Sequence, residues 1–198
     1  VEHRFRIGEA VVDLLHYGSG VTTAGGTLHW PASDFEMSVA GFEEACAAAT
    51  DVRIAKGIAV RCVTVPGLVL LKIAAFVDRA ARQDPKHRND AEDILYWLKH
   101  YASGNDSSRR FDLPSLHLDG IDYESAGAAV LGLDVRKLMS SGVQGLVDRF
   151  LAIAGDPHGA FVNIIASVIH DDDRAGQERE RVARLVAAFR AGLGTHAD

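Results

Sequence analysis

The spacing of apolar residues changes part-way along this 198-residue chain. Up to Val65 they fall in short runs punctuated by glycine. From Gly67 onward they recur every three or four positions. A period of two lines one face of a strand, and a period of about 3.6 lines one face of a helix. Strands first and helices afterwards is the order expected of an α+β protein. Extended runs are expected at residues 3–7, 10–17, 27–30, 52–55 and 58–65. Gly8-Glu9 splits the first two, and Lys56-Gly57 joins the last two as a hairpin turn would. The run from Ala10 to Leu15 is apolar on both faces, as a central strand would be. Gly18, Gly20, Gly25 and Gly26 mark a loop and a further hairpin.

The helical reading starts with an alanine-rich stretch at 41–50. Pro66, whose fixed φ suits a first turn, opens a helix over 67–81. Asn89, with Glu92 three residues on, caps a second helix over 89–101. Residues 103–110 read as a polar linker. Helices are expected near 122–132, 134–140, 142–154 and 158–170. In the last helix Val182, Leu185, Val186, Phe189 and Leu193 share one stripe. That stripe reads either as packing within its own domain or as a dimerisation surface. The chain divides into an α/β portion, 1–102, and an all-helical portion, 111–198. It begins at Val1 with no turn or capping signal, which reads as an entry into the middle of a sheet and a missing native N-terminus.

Charge and composition narrow the functions. Lysine plus arginine number 21 against 27 aspartate plus glutamate, a formal net charge of -6. That disfavours a general electrostatic grip on nucleic acid. It leaves room for a local patch at Arg79, Arg82, Lys86, His87 and Arg88. Cys46 and Cys62 supply neither a disulfide framework nor a four-cysteine zinc site and read as small core residues. The nine histidines have no zinc-hydrolase spacing. There is no GxSxG and no P-loop, and Gly18-Ser19-Gly20 is too short for a phosphate fingerprint. Lys72 interrupts the longest apolar run, 68–71, so no segment spans a membrane. With no signal peptide visible, the cytoplasm is the expected compartment.

Three places carry candidate chemistry. Asp13 lies mid-strand among apolar residues, where it reads as a buried carboxylate that needs a metal, hydrogen-bond donors or a cation such as Arg4 or Arg6. Lys72 shares a helical face with Arg79, with Phe76 between them. Two cations on one face read as a phosphate clamp, or as side chains whose stems snorkel along an apolar helix. Asp90 and Asp93 stand in the first turn of the next helix, where its dipole alone would favour acids. The functional alternative is that Asp90 orients Lys72 or Arg79 across a contact between the two helices. Asp171-Asp172-Asp173 reads as a solvated link, because adjacent side chains diverge.

These pieces together resemble a family. Gly-Glu-Ala-Val-Val-Asp-Leu-Leu at 8–15 looks like the strand that bears the third carboxylate of a minimal nucleotidyltransferase. The run from Pro66 through Lys72 and Phe76, then Asp78-Arg79, then Asn89-Asp90-Ala91-Glu92-Asp93-Ile94, is similar to the K…A…R…KDxxDL signature. That signature marks the AbiEii-like nucleotidyltransferases of type IV toxin–antitoxin systems, in the DNA-polymerase-β superfamily. Trp30-Pro31 through Phe42 looks like their connector. The resemblance covers residues 3–101.

The resemblance implies a small mixed sheet backed by helices. It also implies transfer of a nucleoside monophosphate from a nucleoside triphosphate to an acceptor hydroxyl, aided by two Mg²⁺ ions. Asp13 would hold the catalytic metal. Lys72 would steady the triphosphate or the attacking group, and Asp90 would hold Lys72 or the nucleotide. Arg79 and Asp93 would complete the nucleotide site. The acceptor could be a tRNA, a protein side chain or a small molecule, and a cognate antitoxin is an implied partner. The family's Gly-Ser loop and Asp-x-Asp pair, expected ahead of the Asp13 strand, are not present, and Asn89 replaces the usual basic residue before Asp90. The 198 residues are therefore expected to bind Mg²⁺–NTP poorly and not to turn it over. The alternative is a non-catalytic binding or regulatory module that acts through its helical portion.

Overall fold

The computed structural model describes residues 4–15, 26–30, 35–111, 121–166 and 172–194. It forms two compact units, Val1–Ala40 and Gly41–Asp198. The glycine loop at 18–25, Pro31 and Asp171 lie outside the described residues.

The first unit contains two antiparallel hairpins. β1 (Arg4–Ile7) pairs with β2 (Ala10–Asp13), with Arg4 opposite Asp13 and Phe5 opposite Val12. Gly8 closes the turn at φ +60°, which a residue with a Cβ adopts only with strain. β3 (Thr27–Trp30) pairs with β4 (Phe35–Ser38), which falls in the expected connector. The expectation of a central strand at 10–15 is corrected. β2 is half of a two-stranded ribbon, with Val11, Asp13 and Leu14 exposed. An all-apolar run records side-chain type, whereas burial on both faces also requires layers to cover them.

The second unit opens with α1 (Phe42–Ala47). Gly41 precedes it at φ +83°, where an added Cβ would press on Leu70. β5 (Thr50–Ala55) and β6 (Ile58–Cys62) form the hairpin expected from Lys56-Gly57. The helices follow: α2 (Val65–Ala81), α3 (His87–His100), α4 (Tyr123–Leu138), α5 (Ser141–Ala154), α6 (Ala160–Ala166) and α7 (Asp172–Gly194). The protein is thus α+β. Among the described residues its strands form three separate antiparallel pairs and do not join into one mixed sheet.

α2 runs through the middle of this unit, against α1, α3, α4 and α5. Thr64 caps it by accepting from the Gly67 amide, and Pro66 sits in the first turn, where a missing N–H costs nothing. Its stripe of Val69, Leu70, Ile73, Phe76 and Val77 is buried. Phe76 meets Phe150 and Phe161 edge-on at 5.9 and 5.5 Å, and Phe150 meets Phe189 at 6.5 Å. These four rings tie α2, α5, α6 and α7 together.

Two helix expectations change. Residues 122–132 and 134–140 are parts of one helix, α4, and Gly132 does not end it. Instead Gly132 lets α7 come close. A methyl there would collide with the Phe189 carbonyl, and one on Gly192 of α7 would collide with the Ala129 carbonyl. α3 begins at His87, not Asn89, because the Asp84 carboxylate accepts the Lys86 amide at 2.9 Å and leads the chain into the helix. The last helix buries Val182, Leu185, Val186, Phe189 and Leu193 within the unit. Among the described residues no helix is long and apolar enough to cross a membrane.

Candidate functional site

The buried stripe of α3 is Asp90, Ala91, Ile94, Leu95 and Leu98, so an acid stands on an otherwise apolar face. Asp90 is only 1% exposed. A buried carboxylate without partners costs several kcal/mol, on the order of the desolvation penalty that real proteins show. Here α2 supplies the partners. Lys72 Nζ lies 3.2 Å from Asp90 Oδ1, and Arg79 Nη1 lies 2.5 Å from Asp90 Oδ2. Lys72 and Arg79 are two helical turns apart on α2, and one carboxylate bridges them. Asp93, one turn beyond Asp90, adds a second contact to Lys72 at 2.6 Å. The structure therefore brings together four of the residues singled out in the sequence: Lys72, Arg79, Asp90 and Asp93.

The four differ in their access to water. The Lys72 and Arg79 side chains are 30% and 34% exposed, and Asp93 is 52% exposed. Burial works to lower the pKa of the Lys72 amine, but hydrogen bonds to Asp93 and Asp90 and their charges outweigh it and raise the pKa. The amine is thus held firmly as a cation. An ammonium has three donors, of which these carboxylates take two, and a guanidinium has five. The cluster can therefore offer further donors to an anion at the surface. It lies open. A groove of about 380 Å³ lined by Leu151 and Arg190, and one of about 430 Å³ lined by Glu43 and Lys137, include none of its residues.

Asp13 belongs to the Val1–Ala40 unit. Its two oxygens meet Arg4 Nε and Nη2 at 2.7 and 2.8 Å across the β1–β2 ladder. Of the two arginines that the sequence offers, Arg4 is the partner found. Magnesium does not fit these carboxylates as they stand. Both oxygens of Asp13 face a guanidinium, and those of Asp90 face an ammonium and a guanidinium. Among the described residues no three His, Cys, Asp or Glu side chains gather as a metal site. The basic patch is also largely neutralised, with Arg82 on Asp78, Arg88 on Glu92 and Arg79 on Asp90.

Other polar side chains set the position of α3, and sequence reading missed them. The expected linker at 103–110 is a 3₁₀ helix, Gly104–Arg110, that ends on a buried arginine. Arg110 donates to the carbonyls of Ala102, Tyr101 and Tyr123 at 2.7, 2.6 and 2.6 Å and lies 4.1 Å over the Tyr123 ring. It fastens the end of α3 to the start of α4. Gly127 leaves the space, since a Cβ there would fall 2.8 Å from the guanidinium. Tyr101 donates to Asp134 at 2.7 Å, and burial together with that bond pushes its phenol up to about 12. Burial works to raise the Asp134 pKa, yet hydrogen bonds from Tyr101, Arg109 and Lys137 bring it below the usual carboxylate value. Lys99 reaches Glu178 on α7 at 2.6 Å. The sequence carries a signal for Lys72, Arg79, Asp90 and Asp93, through their helical spacing. The others depend on long-range contacts that spacing does not reveal.

Among protein-family models, curated proteins and solved structures, none matches this chain.

Proposed function

We propose that the Gly41–Asp198 unit is the phosphate-binding part of a nucleotidyltransferase-like protein of the AbiEii type, acting in the cytoplasm on a nucleoside triphosphate. The observation that carries this reading is the buried Asp90 carboxylate, which holds Lys72 and Arg79 side by side with a third of each side chain at the surface. Two fixed cations pay little entropy when they meet a phosphate, which is the advantage of preorganisation. Asp90 is then a positioning residue, while Lys72 and Arg79 touch the ligand. The match between these positions and the K…R…D spacing supports the reading independently of the geometry.

Both oxygens of Asp13 and of Asp90 are taken by cations, which makes them poor ligands for magnesium. The 198 residues accordingly bind a triphosphate weakly and do not transfer it. The acceptor hydroxyl, on a tRNA, a protein or a small molecule, and a cognate antitoxin belong to the same proposal. The non-catalytic alternative would use the helical part, but the apolar stripe of α7 is already spent on packing inside the unit.

Calorimetric titration with ATP and with inorganic triphosphate tests this. Weak binding that disappears in Lys72→Met and Arg79→Met, each shown by circular dichroism to be folded at the titration temperature although destabilised by the buried Asp90 carboxylate it leaves, is the expected result. Binding unaffected by either substitution would refute the phosphate site. Tight magnesium-dependent affinity, or pyrophosphate release, would refute the claim that the chain does not turn over.

A further inference from the structure

We propose that Asp93 is a built-in competitor at this site: an anionic ligand reaches the Lys72 ammonium by displacing the Asp93 carboxylate, while Asp90 stays in place. The inference rests on the phosphate-binding reading above and deepens it.

The two carboxylates on Lys72 are unequal. Asp90 is 1% exposed and bonded to both cations, so moving it away would strand a charge in the core. Asp93 is 52% exposed and bonded to Lys72 alone in the described contacts. Releasing it into water breaks only a surface ion pair. It nevertheless makes the shorter contact, 2.6 Å against 3.2 Å, and, being half exposed, it is the carboxylate that a ligand arriving from water would meet.

Charge balance leads to the same conclusion. With Asp93 in place, two carboxylates offset two cations, and the cluster has no excess charge to attract a polyphosphate. Once Asp93 turns away, one positive charge is left uncompensated beside the incoming phosphate. The carboxylate thus weakens binding of free phosphate, by an amount that falls as salt screens the Lys72–Asp93 ion pair. Asp93 acts against the ligand rather than as part of its binding set, as the resemblance would have it.

The test is calorimetry with inorganic triphosphate on the full chain at low and high salt, without metal. Asp93→Asn keeps the shape and a hydrogen-bonding group and removes the charge. It is expected to bind about fivefold tighter at low salt, the size of one surface ion pair no longer broken. The gain should shrink as salt rises and vanish in the Lys72→Met/Asp93→Asn double variant. Glu92→Gln removes the same charge from a neighbouring exposed position on α3 and should gain less. An equal gain in Glu92→Gln would reduce the effect to net charge and overturn the proposal. So would Asp93→Asn binding no better than the parent while Lys72→Met still loses affinity; in that case the phosphate site stands. If no form shows Lys72-dependent binding, the phosphate reading fails and this inference falls with it.

Discussion

Asp13 and Asp90 are both aspartates held by arginine, and they differ in how much water surrounds them. Asp13 sits on a two-stranded ribbon beside an Arg4 that is 59% exposed. Asp90 sits on α3 against α2 with almost no exposure. At the surface, solvent screens the pair and the side chains give up rotamer freedom to form it, so such a contact organises little. In the core, the carboxylate cannot lose its cations without being stranded. The same chemical pairing is therefore incidental in one unit and a fixed point of architecture in the other. The lesson for function is that a sequence acid marks a site when packing compels its partners to gather, as α2 and α3 compel Lys72 and Arg79.

These acids should separate the two regions. Asp90→Ala takes the partner from the Arg79 guanidinium and leaves Lys72 with Asp93 alone, and is expected to destabilise by about 1–3 kcal/mol. Asp13→Ala should leave the same transition unmoved. Urea melts followed by far-ultraviolet circular dichroism make the comparison, and equal shifts would break it. Phenylalanines repeat the contrast. Phe76 is fully buried among three other rings, and Phe76→Ala should cost about 3–5 kcal/mol. Phe5, at 47% exposure on its ribbon, should cost about 0.5 kcal/mol or less.

A smaller effect distinguishes two kinds of helical glycine within the second unit. Gly192→Ala forces α7 away from α4 and should destabilise by about 1–3 kcal/mol, although alanine favours helices. Gly145 on α5 faces open space, and Gly145→Ala should stabilise by up to about 1 kcal/mol. Thermal melts of the two variants should move in opposite directions.

The smallest effect is one of pH. The Asp134 carboxyl titrates below its ordinary 3.8 in the folded protein, so it contributes stability above that value and loses it as pH falls through the folded value. Asp134→Asn should flatten the fall in melting temperature at acid pH. An unchanged slope would mean that the Tyr101–Asp134–Arg109 contacts carry no linkage.

Much of the fold could be read from the chain because the signals are local. The α+β order, the Lys56-Gly57 hairpin, the helix after Pro66 and the stripe of α7 follow from turn chemistry and periodicity, which act over a few residues. The break expected between 132 and 134 does not occur, because a glycine that ends a helix and one that admits a neighbouring backbone look alike in one dimension. Arg110 was misread because a charged residue in a polar run gives no hint that three carbonyls converge on it.

The candidate site divides along the same line. Residue types and spacing alone determined that Lys72 and Arg79 share a face of α2 and that Asp90 and Asp93 are neighbours on α3, since helical geometry fixes which side chains on one helix lie together. Only tertiary packing decided that Asp90 would be the buried bridge and Asp93 the exposed one. That choice depends on how α3 is rolled against α2, which is set by Arg110, Lys99 and the core leucines far along the chain. Burial is a property of neighbours, and the chain does not name its neighbours until it folds.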